Sequence, residues 1–290
     1  SQLYFLMNNF ERALEYAEKI LDINPEHIDT LKIVVNINKI NRKYAKALNY
    51  AQILYRLSPD IDNFVTYLEM LTECNQHNTI IEEIEASKFN YEERKNEKLL
   101  LIEGYSRLKL NQIFKAIGIF QEIIKLYPQN TDARFYLGVI YYKKHQDADA
   151  EKLFNSVLDE IQCDRTYNYL GLLKLDQQKI GDAINYFQFA IKIEQNNAFY
   201  HYNLGTAYSL NGWLLEAEQS FKKAVSSPRG QDRRKDGSMM ELRVEHLCKR
   251  YGENAVLDDI SFIARVGVTR LLGPSGIGKT TLLRVLLGLE

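Results

Sequence analysis

NLGTAYSLNGWLLEAEQSFKKAV, residues Asn203 to Val225, decides the fold once it is laid over YLGLLKLDQQKIGDAINYFQFAI, residues Tyr169 to Ile191. Gly171 falls on Gly205, Ala183 on Ala217, Phe187 on Phe221 and Ala190 on Ala224, each a step of 34 residues. One unit earlier, Gly138, Ala150 and Phe154 stand 33 residues before their counterparts, and Gly104, Ala116 and Phe120 stand 34 before those. Near the start, Ala13, Ala17 and Pro25 recur as Ala47, Ala51 and Pro59. Self-similarity at a fixed period of this length is the signature of a stacked-repeat architecture.

The recurring residue types have physical reasons. Each unit reads as two amphipathic helices joined by a short turn. A glycine on the first helix and an alanine on the second permit close backbone approach, and the aromatic one turn after that alanine is expected to fill the space between successive units. Pro25, Pro59, Pro128 and Pro228 fall where a unit's second helix must stop, because proline has no N–H to donate. No glycine occurs before Gly104, so the counterparts of the glycine in earlier units are Val35 and Glu69. The stretch from about 60 to 95 keeps the helical length but loses most of the pattern, as a degenerate repeat would.

With small, small, aromatic and proline positions at a 34-residue period, residues 1–227 resemble the tetratricopeptide repeat family. The resemblance implies a mainly α fold, a solenoid of about six helix pairs with the first incomplete, stacked into a superhelix. It also implies a concave face lined by the first helix of each unit, suited to a peptide or protein partner. Helical phase against the glycines nominates Phe135, Tyr142, Asn168, Leu172, Tyr202 and Ser209 as groove residues. For Phe135 and Tyr202, simple packing between helices is the competing reading. The lysine, arginine and asparagine set with which some family members clamp C-terminal carboxylates is not evident.

Composition excludes several classes. Net charge is −1 and residues 1–227 carry more acidic than basic side chains, which disfavours nucleic acid. The 19 tyrosines follow the repeat rather than forming a stacking platform for bases. Three well-separated cysteines, Cys74, Cys163 and Cys248, point to a reducing compartment and against a disulfide framework. Cys74 and His77 would make half a metal site, with no second pair following. No apolar run approaches the length of a membrane span and no secretory signal opens the chain.

After residue 227 the text changes character. Residues 228–238, PRGQDRRKDGS read to Ser238, are polar and turn-rich, as a linker is. From Met239 the pattern alternates as strands do, at Leu242 and Val244 and again at Ile260, Phe262 and Ala264. A short apolar strand over Val268–Leu272 leads into GPSGIGKTT, Gly273 to Thr281, with a helix expected from about Lys279. This fits G-x-x-x-x-G-K-[ST], a phosphate-binding loop: Gly273 and Gly278 let backbone N–H groups turn inward around phosphate oxygens, and the helix start adds partial positive charge. Lys279 would reach the outer phosphates of ATP, and the Thr280 hydroxyl would coordinate Mg²⁺.

With its flanks, "YG…VLDDISF…VG…LLGPSGIGKTTLLRVLLGLE", the segment 239–290 resembles the first quarter or so of an ATP-binding-cassette (ABC) transporter ATPase, an α/β P-loop fold. The resemblance implies that Tyr251 stacks on adenine. It also implies that Pro274, Ser275, Gly276 and Ile277 complete the loop and that Thr281 contacts the α-phosphate. An ordinary turn tyrosine before Gly252 is the alternative for Tyr251. The implied partners are a transmembrane permease and a second ATPase subunit, in the cytoplasm with the cassette part at the inner face of the membrane. The parts of that family that position water and the far side of the γ-phosphate do not occur in these residues, so hydrolysis is not expected of them. The expectation is therefore a tetratricopeptide array followed by the beginning of a cassette ATPase. Two neighbouring coding regions read as one, or a true fusion, would each account for the junction at Met239.

Overall fold

The computed structural model describes residues 1–226 and, for the backbone, two strands within 241–265. In the compact unit 1–161, α1 (Gln2–Leu6) pairs with α2 (Phe10–Ile23), α3 (Ile28–Ile40) with α4 (Tyr44–Leu57), and α5 (Ile61–Glu73) with α6 (His77–Ala86). A single turn, α7 (Tyr91–Arg94), follows. Next come α8 (Glu97–Lys109) with α9 (Ile113–Leu126), and α10 (Thr131–Lys143) with α11 (Asp147–Leu158). In the unit beginning at residue 162, α12 (Asp164–Asp176) pairs with α13 (Ile180–Ile193) and α14 (Ala198–Leu210) with α15 (Leu214–Ser226). The described residues thus hold seven pairs, where the recurrence alone counts about six.

Two different devices end and start these helices. Inside every pair the chain turns through one residue with positive φ: Asn8, Arg42, Asn75, Asn111, His145, Gln178 and Gly212. The next residue's N–H then reaches back five positions, as in Lys43 to the Asn38 carbonyl at 2.8 Å, Gln112 to Arg107 at 2.8 Å and Trp213 to Tyr208 at 2.9 Å. That is the Schellman closure, which satisfies carbonyls the first helix leaves open. Between pairs the chain instead relies on side-chain caps. The His27 ring nitrogen and the Asp60, Asn96, Asn130 and Asn197 side-chain oxygens each accept a backbone N–H at the start of a first helix. Pro25, Pro59 and Pro128 directly follow the C-cap residues Asn24, Ser58 and Tyr127. Pro228 lies outside the described residues.

Seven residues before the left-handed turn stand Gly104, Gly138, Gly171 and Gly205, and each faces an aromatic of its own pair. A Cβ on these glycines would lie 2.8, 2.7, 2.5 and 2.7 Å from a ring carbon of Phe120, Phe154, Phe187 and Phe221 respectively. The ring thus has two neighbours: its edge occupies the place where the glycine of its own pair has no side chain, and it packs as expected against the next pair, Phe120 on Ala133 and Leu137 and Phe187 on Leu204 and Ala207. The first three rings are fully buried. The earlier pairs fill the same place with other residues. Val35 meets the level of Ala51, and Leu68 that of Ile84, all four buried in one core cluster. Leu68, and not Glu69, is the counterpart of the glycines, because the turn at Asn75 comes 33 residues after that at Arg42. Glu69 points outward to an ion pair with Lys39 at 2.6 Å.

In the C-terminal part, β1 (Glu241–Tyr251) and β2 (Asn254–Arg265) pair antiparallel. Leu242 stands opposite Ala264, Val244 opposite Phe262 and Leu247 opposite Ile260, so the alternation seen in the sequence falls on matching register positions. The strand expected over Val268–Leu272 and the helix after the loop lie outside the described residues.

Candidate functional site

The nominated groove residues occupy equivalent places on the first helices. Phe135, Asn168 and Tyr202 stand ten residues before the left-handed turn of α10, α12 and α14, and Tyr142 and Ser209 stand three before it. Leu172 follows Asn168 by one helical turn. Burial separates them. Phe135 is 4% exposed and its ring packs on Tyr136 and Phe154 at centroid distances of 5.4 and 6.1 Å. The packing reading applies to it, so Phe135 is a core residue rather than a contact surface.

Tyr142, Leu172 and Ser209 are half-buried, Leu172 against the cluster of Ala183, Phe187 and Leu204. Tyr202 is 50% exposed while one face of its ring rests near Phe221, at 5.7 Å between centroids. On α14, Phe199 precedes Tyr202 by three residues and is 47% exposed. Asn168 is buried and accepts a hydrogen bond from Asn203 Nδ2 at 2.8 Å. Phe199 and Asn203 escaped the phase argument. The signal for Phe199 was its i−3 spacing from Tyr202, and for Asn203 only the crossing of α12 and α14 reveals it.

Some of the charge in the described part is held in ion pairs. The buried Arg107 guanidinium donates to Glu103 at 2.7 Å and to Gln112 at 2.8 Å, with Glu85 at 3.4 Å. Arg134 pairs with Glu160 at 2.6 Å. Among the described residues no cluster of three or more histidine, cysteine or carboxylate side chains could hold a metal. His77 faces the Ser106 hydroxyl at 3.3 Å and the Tyr105 ring edge, and burial followed by the Lys109 charge lowers its pKa. Burial, with a smaller push from Glu73, raises that of Cys74. No described helix is long and apolar enough to cross a membrane.

Family models described as tetratricopeptide repeat match residues 1–27, 108–170 and 170–233. The chain carries tetratricopeptide repeats. Among solved structures, a tetratricopeptide repeat protein from Parabacteroides merdae aligns with a TM-score of 0.65 at 16% identity, over 80% of this chain and 92% of that one. A structure of the APC/C hetero-tetramer Cut9-Hcn1 aligns with a TM-score of 0.64 at 15% identity, over 77% of this chain and 45% of that one. At such identities the likeness concerns the fold. The tetratricopeptide array is a protein-interaction domain.

The phosphate-loop residues Gly273 to Thr281 lie outside the described residues, and Tyr251 is placed only as the last backbone position of β1, opposite Asn254. Curated relatives nevertheless match a short stretch. The sulfate/thiosulfate import ATP-binding protein CysA of Ralstonia nicotianae is 56% identical over 52 residues, 18% of this chain and 14% of that protein. The protein of the same name from Burkholderia mallei is 58% identical over 52 residues, 18% and 15% of the two chains. The Nod factor export ATP-binding protein I of Ralstonia nicotianae is 57% identical over 54 residues, 18% and 17%. The chain thus spans about one seventh of the length of the first of these relatives.

Proposed function

We propose that this chain joins a peptide-binding tetratricopeptide array to an ATP-binding segment of the ABC type. The single observation that carries the second half is the 52-residue stretch, 56–58% identical to ATP-binding import proteins. It is the length of residues 239–290, which contain GPSGIGKTT. In this reading Lys279 and the loop N–H groups of Gly273 to Gly278 neutralise the phosphates. Thr280 carries Mg²⁺, Thr281 meets the α-phosphate and Tyr251 stacks on adenine. The metal would supply charge neutralisation at the phosphates, and the chain's own residues would bind and orient the nucleotide.

For the array, the reading is a protein segment seated on the first helices, with Tyr202, Leu172 and Ser209 as contacts in the unit from residue 162. The ion pairs and the slight net negative charge fit a peptide better than a polyanion. The partners proposed for the cassette segment are a membrane permease and a second ATPase subunit, at the cytoplasmic face of a membrane. Calorimetry with MgATP on the 290-residue chain tests the nucleotide half. Binding that disappears in Lys279→Ala supports it, and binding indifferent to that change sinks it.

A further inference from the structure

We propose that Cys163 is an oxidation site, at which peroxide converts a missing helix cap into a working one. The first helices α3, α5, α8, α10, α12 and α14 each have a cap residue eight positions before the glycine or its counterpart, Val35, Leu68, Gly104, Gly138, Gly171 and Gly205. Five of the caps, His27, Asp60, Asn96, Asn130 and Asn197, accept a backbone N–H through the side chain. Cys163 accepts none. Its backbone is nevertheless extended, at φ −121 and ψ 116, like that of the other caps. Only the acceptor atom is wanting. The neighbouring Asp164 carboxylate is drawn to α14 instead, where it accepts the Tyr200 hydroxyl at 2.7 Å.

A second, independent observation marks the same place. The Thr166 hydroxyl is fully buried and has no hydrogen-bond partner among the described residues. Thr30 holds the same register position on α3, and its hydroxyl lies 3.0 Å from the capping atom, His27 Nδ1. A threonine three residues after the cap is thus aimed at the cap's side chain. A buried hydroxyl with no partner costs stability until an acceptor reaches it. Asp60 shows what satisfies such a site: one carboxylate oxygen accepts the Asn63 backbone N–H at 2.8 Å, and the other accepts the Asn63 side-chain amide at 2.7 Å. Cysteine sulfinate resembles that carboxylate, with two oxygens and one negative charge on the atom after Cβ. On Cys163, one sulfinate oxygen takes the Thr166 N–H and the other its hydroxyl, and the negative charge suits a helix N-terminus.

The Cys163 thiol is free and partly exposed, so a small oxidant reaches it. The deprotonated sulfur attacks one oxygen of hydrogen peroxide; an S–O bond forms, the O–O bond breaks, and the leaving hydroxide takes up the thiol's proton and departs as water. Sulfur gives up two electrons and the peroxide gains them. A second peroxide carries the sulfenic acid to the sulfinate in the same way.

The test uses the full 290-residue chain with Cys74→Ser and Cys248→Ser, which leaves Cys163 as its one thiol. After hydrogen peroxide treatment, peptide mass spectrometry should find two added oxygens on Cys163. The melting temperature should rise by about 3 °C, the shift expected of one gained cap in a chain of this size. Cys163→Asp should reproduce the rise without peroxide, and Cys163→Ala should show none after treatment. In Thr166→Val the rise on oxidation should shrink by about half, because one of the two donors is gone. Cys163 left reduced at peroxide levels that convert the methionines to sulfoxides would overturn the proposal. So would an oxidised chain that melts no higher than the reduced one, a Cys163→Asp chain that melts lower than the parent, or an undiminished rise in Thr166→Val.

Discussion

Gly171→Ala should destabilise the chain even though alanine is the better helix former. A Cβ at position 171 would lie 2.5, 2.7 and 2.9 Å from three carbons of the Phe187 ring. Carbon atoms settle at about 3.5–4.0 Å, so ring and helix must separate by roughly 1 Å. Phe187 cannot swing outward, since it is fully buried among Ala183, Ile184, Leu204 and Ala207. Overpacking of a fixed core costs about 1–3 kcal/mol, and three contacts this short belong at the upper end. Against that, exchanging glycine for alanine inside a helix gains about 0.8–1 kcal/mol. The net expectation is a loss of about 2 kcal/mol.

Gly118, inside α9, supplies the control, because a Cβ there meets nothing within 4 Å. Gly118→Ala should stabilise by close to the propensity gain of about 1 kcal/mol. The same substitution should therefore give opposite signs at two glycines of the same fold. A further variant borrows the solution used near the start of the chain, where Val35 and Ala51 take the two places. Phe187→Ala alone should cost about 3–5 kcal/mol through its cavity. Adding Gly171→Val to it should recover at least 1 kcal/mol, a coupling expected only of side chains in contact. Urea unfolding followed by far-UV circular dichroism measures all four. If Gly171→Ala proves as stabilising as Gly118→Ala, the glycine–phenylalanine account of the pair interface is wrong.

Further expectations follow from the turns, the titrating groups and the loop. Gly212 sits at φ +81 with open space around its Cα, so Gly212→Ala should lose about 1–2 kcal/mol from backbone strain alone, and Gln178→Gly, at φ 58, should lower the melting temperature little or raise it. Burial and then the Glu83 carboxylate, which accepts the Tyr67 hydroxyl at 3.2 Å, push the Tyr67 pKa up to about 12 from its ordinary 10.0. Its protonated form is the one the fold favours, so that contribution is complete below pH 10 and fades as pH rises toward 12; melting curves across this window should fall less steeply in Tyr67→Phe. His77 has the opposite sign for the same cause, burial disfavouring its charged form. Its contribution is present above the ordinary 6.5 and fades as pH falls, and a pH series of melting temperatures should show less acid sensitivity in His77→Gln. If the proposed nucleotide-binding reading of residues 239–290 holds, Lys279→Ala should abolish calorimetric MgATP binding while leaving peptide affinity unchanged.

Local rules and tertiary geometry divided the determination of this protein between them. The helical-repeat class is readable along the chain, because a 34-residue recurrence of small, aromatic and proline positions is carried by spacing and needs no knowledge of neighbours. The proposed phosphate loop is legible for a similar reason: glycines, a lysine and a threonine at fixed offsets make a pattern that is carried along the chain alone. The pair over residues 60–95 was legible only as a degenerate repeat, because it has Leu68 and Ile84 where glycine and phenylalanine stand later. The left-handed turn residues were illegible, since six of the seven are Asn, Arg, His or Gln and are held there by the five-residue hydrogen bond that closes each pair. Only the packed helices showed that Phe135 is core and that Asn203 reaches Asn168. Helical phase says which face a residue occupies, but the crossing of two helices decides whether that face meets protein or solvent.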